Sequence, residues 1–257
     1  MLWWDEIITN LNPNPNNLKS SDLKKILSSK KAPKKSMNLV SNLCLDGGNL
    51  DSVFFHDLNY ERMTFFNINI INSDISKAKF FNCTFNNVIF TGGEIFASFS
   101  GCLFINCSFE EQKFSMLTCQ NCQFISTNFV IIEKLILNTN DTKFIQCEFY
   151  RANIIKSEIK SSTFIKSKFI ELQIINSPFQ SNYIFQNVFF KVKNIKANNY
   201  LATFYKNEYH STTGFEKDLI LNEEQGYYIK QGASVDTLQK SVVQQYLESL
   251  IKQKGKK

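Results

Sequence analysis

Large apolar residues recur at every fifth position through most of the chain. From Leu45 they run Leu50, Phe55, Tyr60, Phe65, Ile70, Ile75, Phe80, Phe85, Phe90 and Ile95 without a miss. One residue is then lost around Gly92-Gly93, and the frame resumes at Phe99, Phe104, Phe109, Phe114, Cys119, Phe124 and Phe129. After an interruption it returns at Phe144 and holds through Phe189, with Phe204 and Tyr209 still on it. A period of five fits neither the 3.6 of a helix nor the 2.0 of a strand. The residue two places before each large one is usually small, as at Ala78, Cys83, Val88, Cys102, Cys107, Cys122 and Cys147. Two inward and three outward positions per five suit a chain that turns a corner every five residues. Four such corners close a coil of about twenty residues, so internal repeats govern the fold before any single helix or strand does.

Reading every twentieth residue tests the coil. One side gives Phe65, Phe85, Phe104, Phe124, Phe144, Phe164, Ile184 and Phe204. The second gives Ile70, Phe90, Phe109, Phe129, Phe149, Phe169, Phe189 and Tyr209. The third reads Ile75, Ile95, Phe114, Lys134, Ile154 and Ile174, and the fourth Phe80, Phe99, Cys119, Thr139, Ile159 and Phe179. Nothing in a count of five demands that phenylalanine collect on two sides, so this segregation is independent support for the coil. The pattern resembles the pentapeptide-repeat family, whose tandem units carry a central Leu or Phe with a small residue two positions earlier. The resemblance covers roughly residues 43–209. It implies an all-β solenoid, a right-handed quadrilateral β-helix with the central residues stacked inside. The Phe-centred units here depart from the commoner Leu-centred ones but suit the same interior. At the strand spacing of about 4.8 Å, roughly eight coils make a rod on the order of 40 Å long.

A solenoid's end coils expose apolar interior and unpaired edges, so they need caps. The expected organisation is an N-terminal cap and basic linker over 1–42, the β-helix over 43–209 and a C-terminal segment over 210–257. Leu2, Trp3, Trp4, Ile7, Ile8 and Leu11 fall on one side of a short helix. Ser20 or Ser21 is placed to N-cap a second, ending near Leu27. Residues 235–253 put Val235, Leu238, Val242, Tyr246 and Leu250 along one helical stripe, which either caps the last coil or makes a homodimer.

The frame breaks at VIIEKLILNTNDTK, residues 130–143, where Lys134 and Thr139 occupy inward positions. A buried unpaired lysine is costly, so the chain is expected to bulge or change register there, on the two weaker sides. This stretch, with Lys134, Asn138, Asn140 and Asp141, is either a binding loop or tolerated drift. A second irregular stretch, 190–203, marks the approach to the C-terminal end.

Composition narrows the chemistry. The chain has 25 Phe but only 9 Gly and 4 Pro among 257 residues, few for a chain that turns so often. Its richness in Asn, Ile, Lys and Phe fits an AT-rich coding sequence. No apolar run reaches the ~18–20 residues of a membrane span. The opening MLWWDEIITNLNPN carries acids where a signal peptide carries bases. The seven Cys are odd in number and five of them occupy the small position, which fits a reducing, cytoplasmic setting. Cys119 and Cys122 have the spacing of a metal pair, but no second pair or nearby His accompanies them, and buried fillers are the expected role. His56 and His210 are the only histidines. No nucleophile–base pair, phosphate loop or cofactor motif is present, which speaks against an enzyme.

Net charge is +6, and the repeat region 62–209 carries fifteen Lys/Arg against ten acids. Arg151, Lys156, Lys160, Lys166 and Lys168 form a candidate basic surface, with Glu148, Glu158 and Glu171 interleaved. With the rings pointing inward there is no stacking platform for bases, so nucleic acid is not the expected partner. KKAPKK at 30–35 reads as a flexible linker in preference to a nuclear address. The expected function is a non-catalytic rod that docks protein partners. The family's best-known activity, mimicry of duplex DNA to protect a type II topoisomerase, is the alternative, and a net basic rod weighs against it.

Overall fold

A chain that turns every five residues needs, at each corner, a residue that tolerates the left-handed backbone region. Asparagine reaches it at lower cost than most side chains. In the computed structural model six of the corners are held by Asn67, Asn72, Asn82, Asn87, Asn106 and Asn121, with φ between 46° and 54°, and many of the others carry Ser, Lys, Arg, Glu or Gln, as at Ser126, Lys156, Arg151, Glu171 and Gln146. Part of the asparagine content therefore has a structural use beyond codon bias, while the remaining corners accept the left-handed cost with other polar side chains in place of glycine. Gly93 is an exception that must stay small, because a Cβ there would lie 2.5 Å from the Ser73 carbonyl oxygen of the preceding coil. Ile131 is a costly corner: a β-branched residue at φ 53° with 47% of its surface exposed. Ile131→Asn is expected to raise stability by about 1 kcal/mol, read as a higher denaturant midpoint. An unchanged midpoint would mean that the backbone there relaxes without strain.

The structure describes residues 39–42, 44–55, 59–195, 202–205, 207–212, 219–222 and 226–229. The expected helical caps, at Leu2–Leu11, 20–27 and 235–253, lie outside these. Short parallel strands stack coil on coil into a four-sided β-solenoid. On the first side Leu45, Phe65, Phe85, Phe104, Phe124, Phe144, Phe164 and Ile184 pair in succession. Phe204 follows by backbone register. On the second side the ladder is Ile70, Phe90, Phe109, Phe129, Phe149, Phe169 and Phe189. All of these rings with described side chains are buried.

Coil spacing sets the ring geometry. Phe104 and Phe124 lie 4.4 Å apart and 4° from parallel, and Phe149 and Phe169 4.9 Å and 2°. Where the two stacks meet, rings tilt: Phe124 and Phe129 are 5.8 Å apart at 53°. Parallel slipped rings and tilted pairs are both favourable aromatic geometries.

The small position does more than fill space. Cys102, Cys107 and Cys147 donate from Sγ to the carbonyls of Phe80, Phe85 and Phe124 at 3.3, 3.4 and 3.4 Å. Thr142 and Ser167 repeat the bond to Cys119 and Phe144. Farther along, asparagine takes over. Asn187 donates from Nδ2 to the Phe164 carbonyl at 3.0 Å, while its Oδ1 accepts the Ser167 N–H at 2.7 Å. Asn182 does the same between Ile159 and Ser162. Buried amides are tolerable here because both ends of each are hydrogen-bonded to backbone of the preceding coil. Burial pushes the Cys107 thiol up to about 11 and Cys147 up to about 12, so both stay protonated and inert.

The third side differs from a count by five. The one lost residue falls between Ile95 and Phe99, not at Gly92-Gly93: Ile95, Ala97 and Phe99 are all buried in the strand Glu94–Ser100, opposite a register shift between Ser76 and Lys79. In the next coil Ser115 goes inward and Phe114 turns out, and one coil on Leu135 goes inward and Lys134 turns out. The third-side ladder is Ile75, Ile95, Ser115, Leu135, Ile154 and Ile174. In these three coils the corner between third and fourth sides is gone. Ala97, Leu117 and Leu137 stand where a left-handed residue is expected, and they are buried in extended strand instead. Thr139 keeps its inward place, 4% exposed, and accepts a hydrogen bond from Ser162 Oγ at 2.9 Å.

Past Phe189 the frame holds through Lys191, at a corner, and buried Val192, with Asn194 on the third side. Strand Gly226–Ile229 then pairs antiparallel with Thr203–Tyr205 and with Leu219–Asn222. An antiparallel hairpin thus covers the open edge of the first side, which answers the aggregation hazard of a bare parallel edge.

Candidate functional site

Inward positions are given over to packing, so any function must be carried by outward residues, and these form rows because each coil repeats the last. The residue after each inward one shows the contrast. On the first side it is Ile105, Ile125, Ile145 and Ile165. On the third it is Phe96, Met116 and Ile136, then Ile155, Ile175 and Ile195. On the fourth, past exposed Phe81, it is polar: Ser100, Gln120, Asn140, Lys160 and Gln180. The first- and fourth-side rows are visible in the sequence once it is read at twenty-residue steps from the position after the frame; the third-side row is not, because the inward residue slips by one to Ser115 and Leu135.

The segment with Lys134, Asn138, Asn140 and Asp141 leaves no loop. It belongs to the strand Asn128–Asn140 and the corner after it, where Asp141 has φ 50°. Asn138 Oδ1 accepts the Glu158 N–H at 3.0 Å, and Asn140 Nδ2 donates to Asp141 Oδ2 at 3.0 Å. The irregularity is absorbed as a bulge: Glu133 and Lys134 both face outward, and Leu135 resumes the core.

The five basic residues are spread around the coil. Arg151 stands at the corner between second and third sides, Lys156 between third and fourth, and Lys166 between first and second, all with left-handed φ. Lys160 lies on the fourth side and Lys168 on the second. Arg151 and Lys191 both bridge Glu171, at 2.9 and 3.1 Å, while Lys160 meets Glu158 at 3.0 Å and Lys168 meets Glu148 at 3.8 Å. The hydrogen bonds from Lys191 and then Arg151 hold the Glu171 carboxyl below its ordinary range. Exposed pairs of this kind contribute little stability, but they neutralise the acids and bases of the surface in place. No single face gathers the five cations.

Among the described residues no group of three His, Cys, Asp or Glu side chains is placed to hold a metal ion, and no helix is long and apolar enough to cross a membrane. The four-sided β-solenoid of five-residue units is the pentapeptide-repeat architecture. No protein-family model and no curated protein matches the chain. Among solved structures it is similar to full-length QnrB1, a plasmid-mediated fluoroquinolone resistance protein. Identity to QnrB1 is 17% and the TM-score 0.34, over 81% of this chain and 99% of that one. A trypsin-treated variant of the same protein gives 15% identity and a TM-score of 0.47, over 69% and 93% of the two chains. HetL, a pentapeptide-repeat protein involved in heterocyst differentiation regulation in a Nostoc cyanobacterium, gives 8% and 0.36, over 76% and 94%.

Proposed function

We propose that this protein is a non-catalytic scaffold whose sides dock protein partners. The observation that carries the reading is the sorting of outward residues into rows, apolar on the first and third sides and polar on the fourth. A stacked solenoid holds such rows at fixed spacing with little entropy left to lose on binding. Fold alone does not carry function, so the reading rests on these surfaces.

Mimicry of duplex DNA is the less favoured reading, because it asks for an acidic rod and residues 62–209 are net basic by five. Tagged full-length protein captured from its native cell extract, with and without nuclease, separates the two. A stable set of proteins unaffected by nuclease is expected. A topoisomerase in that set, with inhibition of supercoiling by micromolar protein, would favour the mimic. Turnover of any substrate that depends on a particular side chain would overturn both.

A further inference from the structure

The third side of the solenoid is self-complementary, and we propose that it is an interface between two antiparallel copies of this chain. Its outward apolar row is Phe96, Met116, Ile136, Ile155, Ile175 and Ile195, one residue per coil and unbroken. All but Ile195 are half-buried by their own neighbours, and Ile195 is 38% exposed. Phe114 adds a second ring against Phe96, at 5.0 Å.

The row on the other edge of the same strands supplies direction. It reads Glu94, Phe114, Lys134, Asn153, Gln173 and Lys193. An acid stands at one end and a base at the other, and Glu94 and Lys193 are both exposed.

Two copies can meet face to face about a two-fold axis in the contact plane in two ways. With the axis along the rod, each row faces the other row of the same coil, which sets Lys134 against Ile136 and Glu94 against Phe96. With the axis along the strands, between the coils of Ile136 and Ile155, each row faces itself reversed. Phe96 then meets Ile195 of the second copy, Met116 meets Ile175, and Ile136 meets Ile155. On the other edge Glu94 meets Lys193, and symmetry makes that ion pair twice. Lys134 then faces Asn153 and Phe114 faces Gln173, so the second row sets no like charges together. Only the antiparallel arrangement keeps the whole apolar row on itself and sets Glu94 on Lys193, and this charge complementarity selects a second copy as the occupant.

The first side is also apolar outside but lacks these features. Lys143 is the only charge in its other row from Thr64 to Tyr183. Thr163 and Ile165 are already 7% and 8% exposed. Six coils with two outward residues each would bury about 600 Å² per copy, near the lower end of specific interfaces, so the contact is expected to be a weak one.

Sedimentation of the full chain from about 5 to 200 µM tests this. A dimer is expected. Met116→Lys, which points a charge at Ile175 of the second copy, should leave monomer at 100 µM, whereas Ile145→Lys on the first side should leave the dimer intact. Glu94→Lys or Lys193→Glu alone should weaken association about tenfold by setting like charges together at both symmetric contacts, and the double variant should restore it. Circular dichroism and thermal melts matching the unsubstituted protein show that each variant is folded. A monomer across the range overturns the proposal. So does a dimer indifferent to Met116→Lys, which would move self-association to another surface such as the 235–251 stripe. Failure of the double charge exchange to rescue overturns the antiparallel register.

Discussion

Replacing Phe149 by alanine is expected to destabilise the fold by about 3–5 kcal/mol, as truncation of a fully buried phenylalanine does. The ring is 0% exposed and sits between Phe129 at 4.6 Å and Phe169 at 4.9 Å, both within 4° of parallel. It also tilts against Phe144 and Phe164 at 5.9 and 6.3 Å. Nothing can collapse into the space, because each neighbour is fixed by the strand register of its own coil. Phe164→Ala should fall in the same range: its ring stacks on Phe144 at 4.6 Å and meets Phe179 edge-on at 5.8 Å. Against a typical total of about 5–15 kcal/mol, either loss is a large fraction. In a solenoid, coupling passes only between neighbouring coils. A weakened middle coil should therefore broaden the denaturant transition or split it, as the two ends begin to unfold separately. Guanidinium unfolding followed by far-ultraviolet circular dichroism measures both effects. A loss under about 1 kcal/mol, the size of a surface substitution, would put these rings outside the core.

The inner ladders were legible because phenylalanine is large, apolar and repeated, so a missed count shows at once. Phe65 through Phe164 on the first side and Phe90 through Phe189 on the second stand where counting puts them. The third side was legible at Ile75, Ile95, Ile154 and Ile174 but not in the two coils between, for an arithmetical reason. From Phe109 the chain takes six residues to reach Ser115 and four more to Cys119, and from Phe129 it takes six to Leu135 and four to Thr139. Each pair still sums to ten, so the frame looks intact at both ends. Counting by five lands on Phe114 and Lys134, and Phe114 gives no warning because an outward phenylalanine reads as well as an inward one. Lys134 did give warning, but a lysine at an inward position says only that something moves, not whether a loop forms or a strand slips by one. Asn182, Asn187 and Asn207 were missed for a different reason. Asparagine reads as a surface residue, and its burial here depends on carbonyls one coil away, such as Ile184 for Asn207 at 2.8 Å. As for function, outward rows are read only after the coil closes, since their members lie about twenty residues apart.

The slip at Lys134 makes a second large prediction, a large effect at one position and almost none at its neighbour. Leu135 is 0% exposed and continues the ladder from Ser115 to Ile154. Leu135→Ala should therefore cost about 2–5 kcal/mol, the range for a buried leucine left as a cavity. Its small neighbour Ser115, already hydrogen-bonded to Gln112 within the core, cannot swell to fill the gap. Lys134 points outward, and Lys134→Ala should change stability by no more than about 0.5 kcal/mol. Lys134→Leu is the sharpest discriminator. If position 134 faced inward, leucine there would remove a buried charge and stabilise the protein by several kcal/mol. With Leu135 inside instead, the same change only adds an exposed apolar side chain, and the denaturant midpoint should hardly move. Three midpoints measured side by side decide it. A destabilised Lys134→Ala, or a Lys134→Leu that outlasts the unsubstituted protein, would put the core position back at 134 and return the bulge to the inner wall. The expected order, with Leu135→Ala far below the other two, ties the straightened corner of these coils to one residue.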